Sequence, residues 1–246
     1  MAEFTTGGLL GGRVTYRQFS TGHRTGFEPV LLAASVPAKP GELVLEAGTG
    51  AGAALLCLAA RVPGVIGVGI EVDGALARLA DENFKLNNLS KFFCLRGDAR
   101  QMPFAPKKFD HVLANPPWFD EKSTASPDQK RALAHQAGPK LLGEWIASLA
   151  TVLRPKGSVT LILPAASFAQ AAAQLCAQGC GGITLLPLWP RAGLAAKIVI
   201  ISARKESKSP DRVLPGLVLH DDSGITAAAQ AILRDGQSTS GVWNTA

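Results

Sequence analysis

The chain has 246 residues, of which 47% are hydrophobic and 18% are charged. This composition is typical of a globular protein and excludes a disordered chain, and the length suits one α/β sheet with a single sizeable core. No apolar run reaches about eighteen residues, and no secretory leader pattern is present, so we expect a cytoplasmic protein that does not span a membrane. The net charge of +6 favours a polyanionic partner.

The four cysteines and four histidines do not show the spacing of a metal site or a redox motif. Cys57 and Cys94 fall inside predicted core elements, where a cysteine behaves as a small apolar residue. We therefore predict that no metal ion is bound.

The start of the chain is predicted to carry a hairpin strand and a helix. Residues 1–12 are small and rich in glycine, which favours a mobile segment, and Val14–Phe19 is predicted to form a short strand. Thr25 and Glu28 have the spacing of a capping box, which predicts a helix that runs to about Ser35.

A strand, a tight loop and a helix follow in that order. Leu43–Leu45 is a brief apolar run, and an alanine-rich helical pattern extends over Ala53–Arg61. Glycines between them allow a sharp turn and a close approach of a ligand, and the first amides of a helix point outward. We expect a polar or anionic ligand here, the alternative being a turn that binds nothing. The loop residues are Glu46, Gly48, Thr49, Gly50 and Gly52.

The next apolar run, Val65–Ile70, predicts a second strand that ends at an acidic residue. Glu71 follows Gly48 by 23 residues, near the spacing of about 20 at which a ribose-binding acid is expected. Asp73 is predicted to cap the following helix, which leaves Glu71 for the ligand. This pattern predicts a cofactor that contains ribose, and NAD remains open at this point.

Two further strands are predicted, each with polar residues at its carboxyl end. Phe92–Arg96 leads to Asp98 and Ala99, where a simple turn is the alternative to a ligand contact. Phe109–Ala114 leads to the stretch Asn115, Pro116, Pro117 and Trp118. Ligands bind at the carboxyl ends of strands in an open α/β sheet, so this stretch is expected to lie beside the glycine loop.

The Asn-Pro-Pro-Trp stretch suits an amino group attached to a flat ring. Successive prolines supply no N–H and fix φ, so the Asn115 side-chain oxygen and the Pro116 carbonyl form a rigid pair of acceptors. Trp118 offers a flat face for stacking. Two acceptors that hold the hydrogens of an aromatic amine would direct its lone pair at an electrophile. The alternative is an Asn-Pro turn with a core tryptophan.

The rest of the chain is predicted to complete the sheet and add a tail. Residues 119–139 lack a clear period and are predicted to form a lid, a substrate loop or a disordered stretch. Further predicted elements are a helix at Leu141–Leu153, a turn at Arg154–Gly157, a strand at Ser158–Leu163, a helix capped by Ser167 and ended by Gly179, an antiparallel pair at Ile183–Leu188 and Lys197–Ala203, and a helix at Ala227–Arg234 capped by Thr226. The last ten residues are expected to be frayed.

These motifs resemble the S-adenosylmethionine-dependent methyltransferases, and among them the amino-methylating branch with an Asn/Asp-Pro-Pro-aromatic motif. The resemblance implies a Rossmann-like class I fold, with a seven-stranded, mostly parallel sheet in the order 3-2-1-4-5-7-6 and helices on both faces. It implies that Glu46 and the glycine loop hold the methionine part of S-adenosyl-L-methionine, that Glu71 holds the ribose, and that Asp98 and Ala99 hold the adenine edge. The implied cofactor-binding residues are Thr25, Glu46, Gly48, Thr49, Gly50, Gly52, Glu71, Val72, Asp98, Ala99 and Asn115, and the implied catalytic residues are Asn115, Pro116, Pro117 and Trp118.

A closer likeness is to the bacterial enzymes that methylate the exocyclic amine of an adenine beside the anticodon of valine tRNA. Residues 22–33 and 222–226, outside the shared core, carry it. It implies an RNA partner and methylation of adenine N6. The same motif also occurs in methyltransferases that act on a release-factor glutamine amide, on guanine N2 or on DNA adenine. From other classes, an NAD-dependent oxidoreductase and a non-catalytic cofactor-binding protein stay open.

Three parts of the chain are expected. Residues 1–40 form an N-terminal hairpin and capping helix, residues 41–205 form the cofactor-binding core, and residues 206–246 form a C-terminal extension.

Overall fold

The computed structural model describes residues 3–22, 24–117 and 139–243. Its strands are β1 (Phe4–Leu9), β2 (Val14–Phe19), β3 (Leu43–Ala47), β4 (Ile66–Glu71), β5 (Phe92–Arg96), β6 (Phe109–Ala114), β7 (Leu153–Pro164), β8 (Cys180–Trp189), β9 (Ile198–Lys205), β10 (Arg212–Val213), β11 (Leu217–Val218), β12 (His220–Asp221) and β13 (Gly224–Ile225). Its helices are α1 (Glu28–Ser35), α2 (Ala53–Arg61), α3 (Gly74–Leu86), α4 (Pro139–Val152), α5 (Phe168–Ala177), α6 (Ala227–Leu233) and α7 (Thr239–Trp243).

A central mixed sheet organises the molecule. Its strands lie in the order β10, β8, β9, β7, β6, β3, β4, β5, and β11 also pairs with β8. If the seven long strands β3 to β9 are renumbered 1 to 7 along the chain, their order across the sheet is 3-2-1-4-5-7-6, as predicted from the family resemblance. The described part of this sheet has nine strands rather than seven, because the two-residue strands β10 and β11 extend its β8 edge.

Most long strands are parallel, and only β9 runs against its neighbours β7 and β8. Such a sheet must be covered on both faces, which explains why all of β6 is buried. One apolar cluster lies between the sheet and α1, α2, α3 and α6, and a second lies between the sheet and α4 and α5. The carboxyl ends of β3, β4, β5 and β6 consequently meet at one edge of the sheet. Within the described ranges, no helix combines the length and apolar character needed to cross a membrane.

The two chain ends are more ordered than the sequence predicted. Residues 4–9 form β1, which pairs with β2 from Phe4 opposite Phe19 to Leu9 opposite Val14, so the prediction of a mobile segment is wrong there. Residues 239–243 form α7, so the prediction of frayed residues is also wrong there. In both cases long-range pairing and packing supply order that the local composition does not indicate.

Two predicted caps and one predicted turn are also wrong. Helix α1 has Phe27 at its N-cap without a side-chain hydrogen bond, because the Thr25 hydroxyl instead lies 2.8 Å from the hydroxyl of Tyr16. Ser167 makes no capping bond to α5. Residues 154–157 belong to β7, where the register with β6 shifts between Phe109 and His111, so a bulge replaces the turn.

Other predicted caps are confirmed. The Asp73 carboxylate accepts from the amides of Ala75 at 2.7 Å and Leu76 at 3.2 Å at the start of α3. The Thr226 hydroxyl accepts from the Ala229 amide at 3.2 Å at the start of α6. Both bonds satisfy amides that have no partner within their own helix.

A buried polar network fixes the amino end of β6, opposite the edge where the strands end. His111 is 5% exposed, its Nδ1 lies 2.7 Å from the Ser158 hydroxyl, and its Nε2 lies 2.8 Å from the Glu42 carboxylate. Because an ionised carboxylate only accepts, Nε2 carries a proton, and in the neutral ring the Ser158 hydroxyl donates to Nδ1. The network therefore fits a neutral imidazole.

This network predicts an acid-sensitive fold. Burial lowers the pKa of His111 below its ordinary value, and the hydrogen bond and charge of Glu42 oppose that shift only in part. As the pH falls below about 6.5, the pKa of a histidine in the unfolded chain, His111 takes up a proton in the unfolded chain but not in the folded chain. The free energy of unfolding therefore decreases as the pH falls through this value. We expect the free energy of unfolding to fall between about pH 7 and 5, by at most about 1.4 kcal/mol per pH unit for this one proton.

Denaturant unfolding at several pH values measures this slope. The variant His111→Gln removes the titrating ring, and its slope over the same range should be shallower. An equal slope in both proteins would show that another group is responsible.

Candidate active site

The glycine loop between β3 and α2 is fastened to the end of β4. The amides of Gly48 and Thr49 donate to the Ile70 carbonyl at 2.8 and 3.2 Å. Gly48, Gly50 and Gly52 have φ of 68°, 55° and 91°, a region that favours glycine. The sequence therefore has glycine wherever the loop needs this backbone conformation.

The three glycines differ in what surrounds them. A Cβ at Gly48 would lie 2.8 Å from the Trp145 ring, and one at Gly52 would lie 2.9 Å from the Phe84 ring. A Cβ at Gly50 would meet no atom within 4 Å. Gly48 and Gly52 are thus required by packing, while Gly50 faces open space where a ligand can approach the backbone. The sequence pattern gave no sign of Trp145, which reaches the loop from α4.

Glu71 lies at the end of β4 with both carboxylate oxygens fixed. Oε2 accepts from the Gly50 amide at 2.8 Å, and Oε1 accepts from the Asp73 amide at 3.0 Å. The residue is 8% exposed, whereas the adjacent Val72 is 66% exposed. The strand thus ends in a positioned carboxylate followed by an open apolar surface, an arrangement that suits a ribose with an attached base.

Glu46 lies behind the loop, under α2. It is 4% exposed, and this burial raises its pKa well above the ordinary value. The hydrogen bond from the Leu55 amide lowers the pKa in part, and the charge of Glu71 raises it further. Its Oε2 has no hydrogen-bond partner among the described residues. Glu46 therefore ties α2 to β3, and its burial favours the neutral form of the carboxyl group. A contact with the methionine part of a cofactor stays a prediction.

Two other predicted cofactor residues make internal bonds. The Thr49 hydroxyl donates to the Glu46 carbonyl at 2.9 Å and closes the start of the loop. Thr25 is half-buried, and its amide donates to the Gln18 side-chain oxygen at 3.0 Å. Thr25 is thereby held against β2, just before α1.

Asp98 follows β5 and is bonded to Arg100. Its carboxylate accepts from the Arg100 amide at 2.8 Å and from the guanidinium at 2.6 Å. The hydrogen bond from the Arg100 side chain lowers the pKa of Asp98, and burial opposes this. The side chain thus makes the turn that the sequence left as the alternative, while Ala99 beside it is buried. Their contact with adenine stays a prediction.

Strand register brings the two key stretches together. Ala47 of β3 pairs with Ala114 of β6 in parallel, so Gly48 and Asn115 are the next residues on neighbouring strands, whose separation is about 4.8 Å. Asn115 is half-buried, Pro116 is buried and Pro117 is exposed. Trp118 lies outside the described residues. The acceptor stretch therefore leaves the sheet directly beside the glycine loop.

Comparisons with known proteins place this geometry in a family. The family model described as "Methyltransferase domain" matches residues 44–137, the segment that contains the glycine loop, Glu71 and Asn115. The chain is 29% identical over 211 residues to a protein of Actinobacillus succinogenes, which covers 80% of this chain and 86% of the relative. That relative is named tRNA1(Val) (adenine(37)-N6)-methyltransferase. The matched domain and this relative together support an S-adenosylmethionine-dependent methyltransferase.

Other relatives of this methyltransferase carry the same name. A Proteus mirabilis protein is 32% identical over 165 residues, covering 64% of this chain and 65% of the relative. A Bacteroides thetaiotaomicron protein is 30% identical over 159 residues, covering 61% of this chain and 65% of the relative. In these two matches the chain therefore spans slightly less than two thirds of the relative's length.

Solved structures agree on the fold. A predicted O-methyltransferase from Agrobacterium tumefaciens superposes with a TM-score of 0.71 at 21% identity, covering 85% of this chain and 96% of that chain. A putative transferase from Pyrococcus horikoshii superposes with a TM-score of 0.59 at 15% identity, covering 84% and 74%. The predicted Rossmann-like class I fold is thereby confirmed. The prediction of an S-adenosylmethionine-dependent methyltransferase is confirmed by the matched domain and the curated relatives.

The site fits S-adenosyl-L-methionine on its own geometry. Gly50 leaves open space beside its backbone, Glu71 offers a fixed carboxylate next to that space, and Val72 offers an exposed apolar surface. The cofactor supplies an electrophilic methyl group on a sulfonium, so the chain itself has to position a nucleophile and exclude competing ones.

Proposed function

We propose that this methyltransferase transfers the methyl group to the exocyclic N6 amine of an adenine in tRNA. The observation that carries the proposal is the position of Asn115, Pro116 and Pro117 at the end of β6, beside the glycine loop. This position supports a role for Asn115 and Pro116 as acceptors close to the proposed site of the methyl donor. The name that the curated relatives share supports the choice of adenine and tRNA.

In this proposal the cofactor lies across the carboxyl ends of β3, β4 and β5. Gly48, Thr49, Gly50 and Gly52 hold its methionine part with Glu46 behind them, and Thr25 covers it. Glu71 accepts hydrogen bonds from the ribose hydroxyls, because its oxygens retain lone pairs beyond those used by Gly50 and Asp73. Val72 contacts one face of the adenine, and Asp98 and Ala99 its edge.

The target base has to leave its stack in the RNA to enter this site. The Asn115 side-chain oxygen and the Pro116 carbonyl then accept the two hydrogens of the N6 amine. The amine is a weak nucleophile because its lone pair is delocalised into the ring, and these bonds orient that lone pair toward the methyl group. Trp118 is proposed to stack on the base. No strong base is required, since the amine loses its proton after the bond to carbon forms.

The proposal extends to the organisation of the chain and its place in the cell. Residues 1–40 and 206–246 flank the core of residues 41–205 as accessory parts, and their contact through α1 and α6 brings both to one side of the sheet. The net charge of +6 is compatible with contact to RNA phosphates. We place the enzyme in the cytoplasm, where tRNA is found.

Labelling total RNA tests the function. RNA from cells that lack the enzyme is incubated with protein and labelled S-adenosyl-L-methionine, separated by size and digested to nucleosides. We expect label in N6-methyladenosine from the tRNA fraction, and none with the Asn115→Ala protein. Label in a methylated guanine would contradict the choice of base, and the absence of label from every RNA fraction would contradict the choice of RNA as the substrate class.

A further inference from the structure

Apart from the candidate active site, a cavity lies at the edge of the sheet where the strands end. It follows β8, has a volume of about 470 Å³ and is lined by Trp189, loop residues 192–195, Pro215 and Val218. Small-molecule sites occupy about 300 to 1,000 Å³, so an unstacked nucleobase fits. We call it the Trp189 cavity.

The Trp189 indole is held in place on its polar side. Its Nε1 donates to the Pro215 carbonyl at 3.2 Å, and a Cβ at Gly216 would lie 2.1 Å from that nitrogen. The glycine therefore lets the backbone pass against the indole edge. The ring is half-buried and its donor is satisfied, which gives the cavity a fixed aromatic wall. The facing loop has only small residues apart from Leu194, which is 53% exposed.

The Trp189 cavity lies on the same edge as Asn115. Both β7 and β8 run against β9, so β6, β7 and β8 point in one direction and end at one edge. From β6 to β8 is a distance of three strand spacings, about 14 Å. A few nucleotides of an unstacked RNA strand cover this distance.

Two further aromatic side chains, Phe27 and His220, lie near the chain segment that lines the cavity. Phe27 is 41% exposed, and its ring centroid lies 6.4 Å from that of His220. The His220 amide donates to the Pro190 carbonyl at 3.1 Å, and the Leu219 amide donates to the Trp189 carbonyl at 2.8 Å. Aromatic side chains on which bases can stack are typical of sites for single-stranded nucleic acid.

The loop beside the cavity has the charge that a nucleic acid requires. Residues 190–197 contain Arg191 and Lys197 and no acidic residue, and both cations are exposed. Arg191 donates to the Asp221 carbonyl at 2.9 Å and lies 3.3 Å from the Asp222 carboxylate, so it also ties the loop to the tail. Lys197 is then the principal candidate for a phosphate contact.

We propose that the Trp189 cavity binds an unpaired base of the substrate RNA, a few nucleotides from the target adenine. The base stacks on the indole, and Lys197 contacts the neighbouring phosphate. This inference rests on the proposed function, since it assigns a second contact for the same RNA. It gives part of the C-terminal extension a role in selecting single-stranded substrate, because Pro215 and Val218 line the cavity.

Filling the cavity is the first test. Ala192→Trp places a ring in the space from an exposed loop position, and Ala227→Trp is the matched control, an exposed alanine of α6 that does not line the cavity. Loss of one stacked base raises KM for RNA about tenfold, with kcat and the Kd of S-adenosyl-L-methionine little changed. Trp189→Phe keeps a flat ring, so its KM for RNA should stay near that of the unaltered protein. Trp189→Ala removes the ring, so its KM should rise as much as that of Ala192→Trp. An unchanged KM in a folded Ala192→Trp protein overturns the inference.

Substrates that lack one base supply the second test. A stem-loop RNA that contains the target adenine is made with an abasic site at each unpaired position in turn. With the unaltered protein, one position near the target should raise KM about tenfold; with Ala192→Trp, that same position should have no further effect. Equal profiles for the two proteins overturn the inference. If the unaltered protein methylates no RNA, the proposed function fails. If it methylates RNA but the two profiles are equal, only the inference about the Trp189 cavity fails, so the two failures are distinguishable.

Discussion

Replacing Asn115 with alanine should lower kcat by about 10² to 10³, the range expected when one positioned polar contact to the reacting group is lost. The side-chain oxygen is one of two proposed acceptors for the target amine, and the Pro116 carbonyl alone cannot fix both hydrogens. Because Asn115 follows β6 rather than β4 and β5, which are proposed to bind the ribose and the adenine, the Kd of S-adenosyl-L-methionine should stay within about threefold. Single-turnover methylation of RNA and calorimetric titration of the cofactor measure the two quantities.

The variant Asn115→Asp is the matched control. A carboxylate keeps an acceptor oxygen at nearly the same place, so this protein should retain more turnover than Asn115→Ala. Thermal unfolding of both variants shows whether β6 is still folded. Full turnover in a folded Asn115→Ala protein would refute the proposed mechanism, because no acceptor of the amine would then be needed at this position.

Replacing Glu71 with alanine should raise the Kd of S-adenosyl-L-methionine by about 10- to 100-fold. A hydrogen bond to a charged group contributes about 1.5 to 3 kcal/mol, and here the variant also removes the acceptor that holds the Gly50 amide at 2.8 Å. Loop and cofactor therefore lose the same carboxylate. At saturating cofactor, kcat should change much less, because Glu71 is not proposed to contact the amine.

Asp73→Ala is the control for the Glu71 prediction. It removes the cap of α3, which should lower the free energy of unfolding by about 1 kcal/mol. It leaves the backbone amide that donates to Glu71 at 3.0 Å, so the cofactor Kd should not change. An unaltered Kd in the Glu71→Ala protein would mean that the ribose is bound elsewhere.

The sequence predicted the long strands and helices well where a single local pattern determines them. The apolar runs of β3, β4 and β6 reflect burial on both faces, and the glycines at 48, 50 and 52 reflect backbone conformations that other residues avoid. The Asp73 cap is likewise decided within a few residues. These features depend on neighbours along the chain, so one sequence suffices to indicate them.

Features that depend on distant residues were missed. The Thr25 hydroxyl was predicted to cap α1, but it is hydrogen-bonded to the Tyr16 hydroxyl of β2, because a buried tyrosine requires a hydrogen-bond partner. Glu46 near the end of β3 was recognisable as an acid beside the glycines, but its burial under α2 depends on how that helix packs. Trp145 reaches Gly48 from α4 through tertiary packing alone.

Strand β6 connects two sites that differ in purpose. Near the amino end of β6, His111 is hydrogen-bonded to Ser158 and Glu42. At the carboxyl end of β6, Asn115 follows the strand beside Gly48. Insertion or deletion of one residue between them would turn every following side chain to the opposite face of the sheet. The number of residues from His111 to Asn115 is therefore constrained more tightly than their identities: evolution can exchange Val112 or Leu113 for another apolar side chain, but cannot change the length of this segment without misaligning the acceptor.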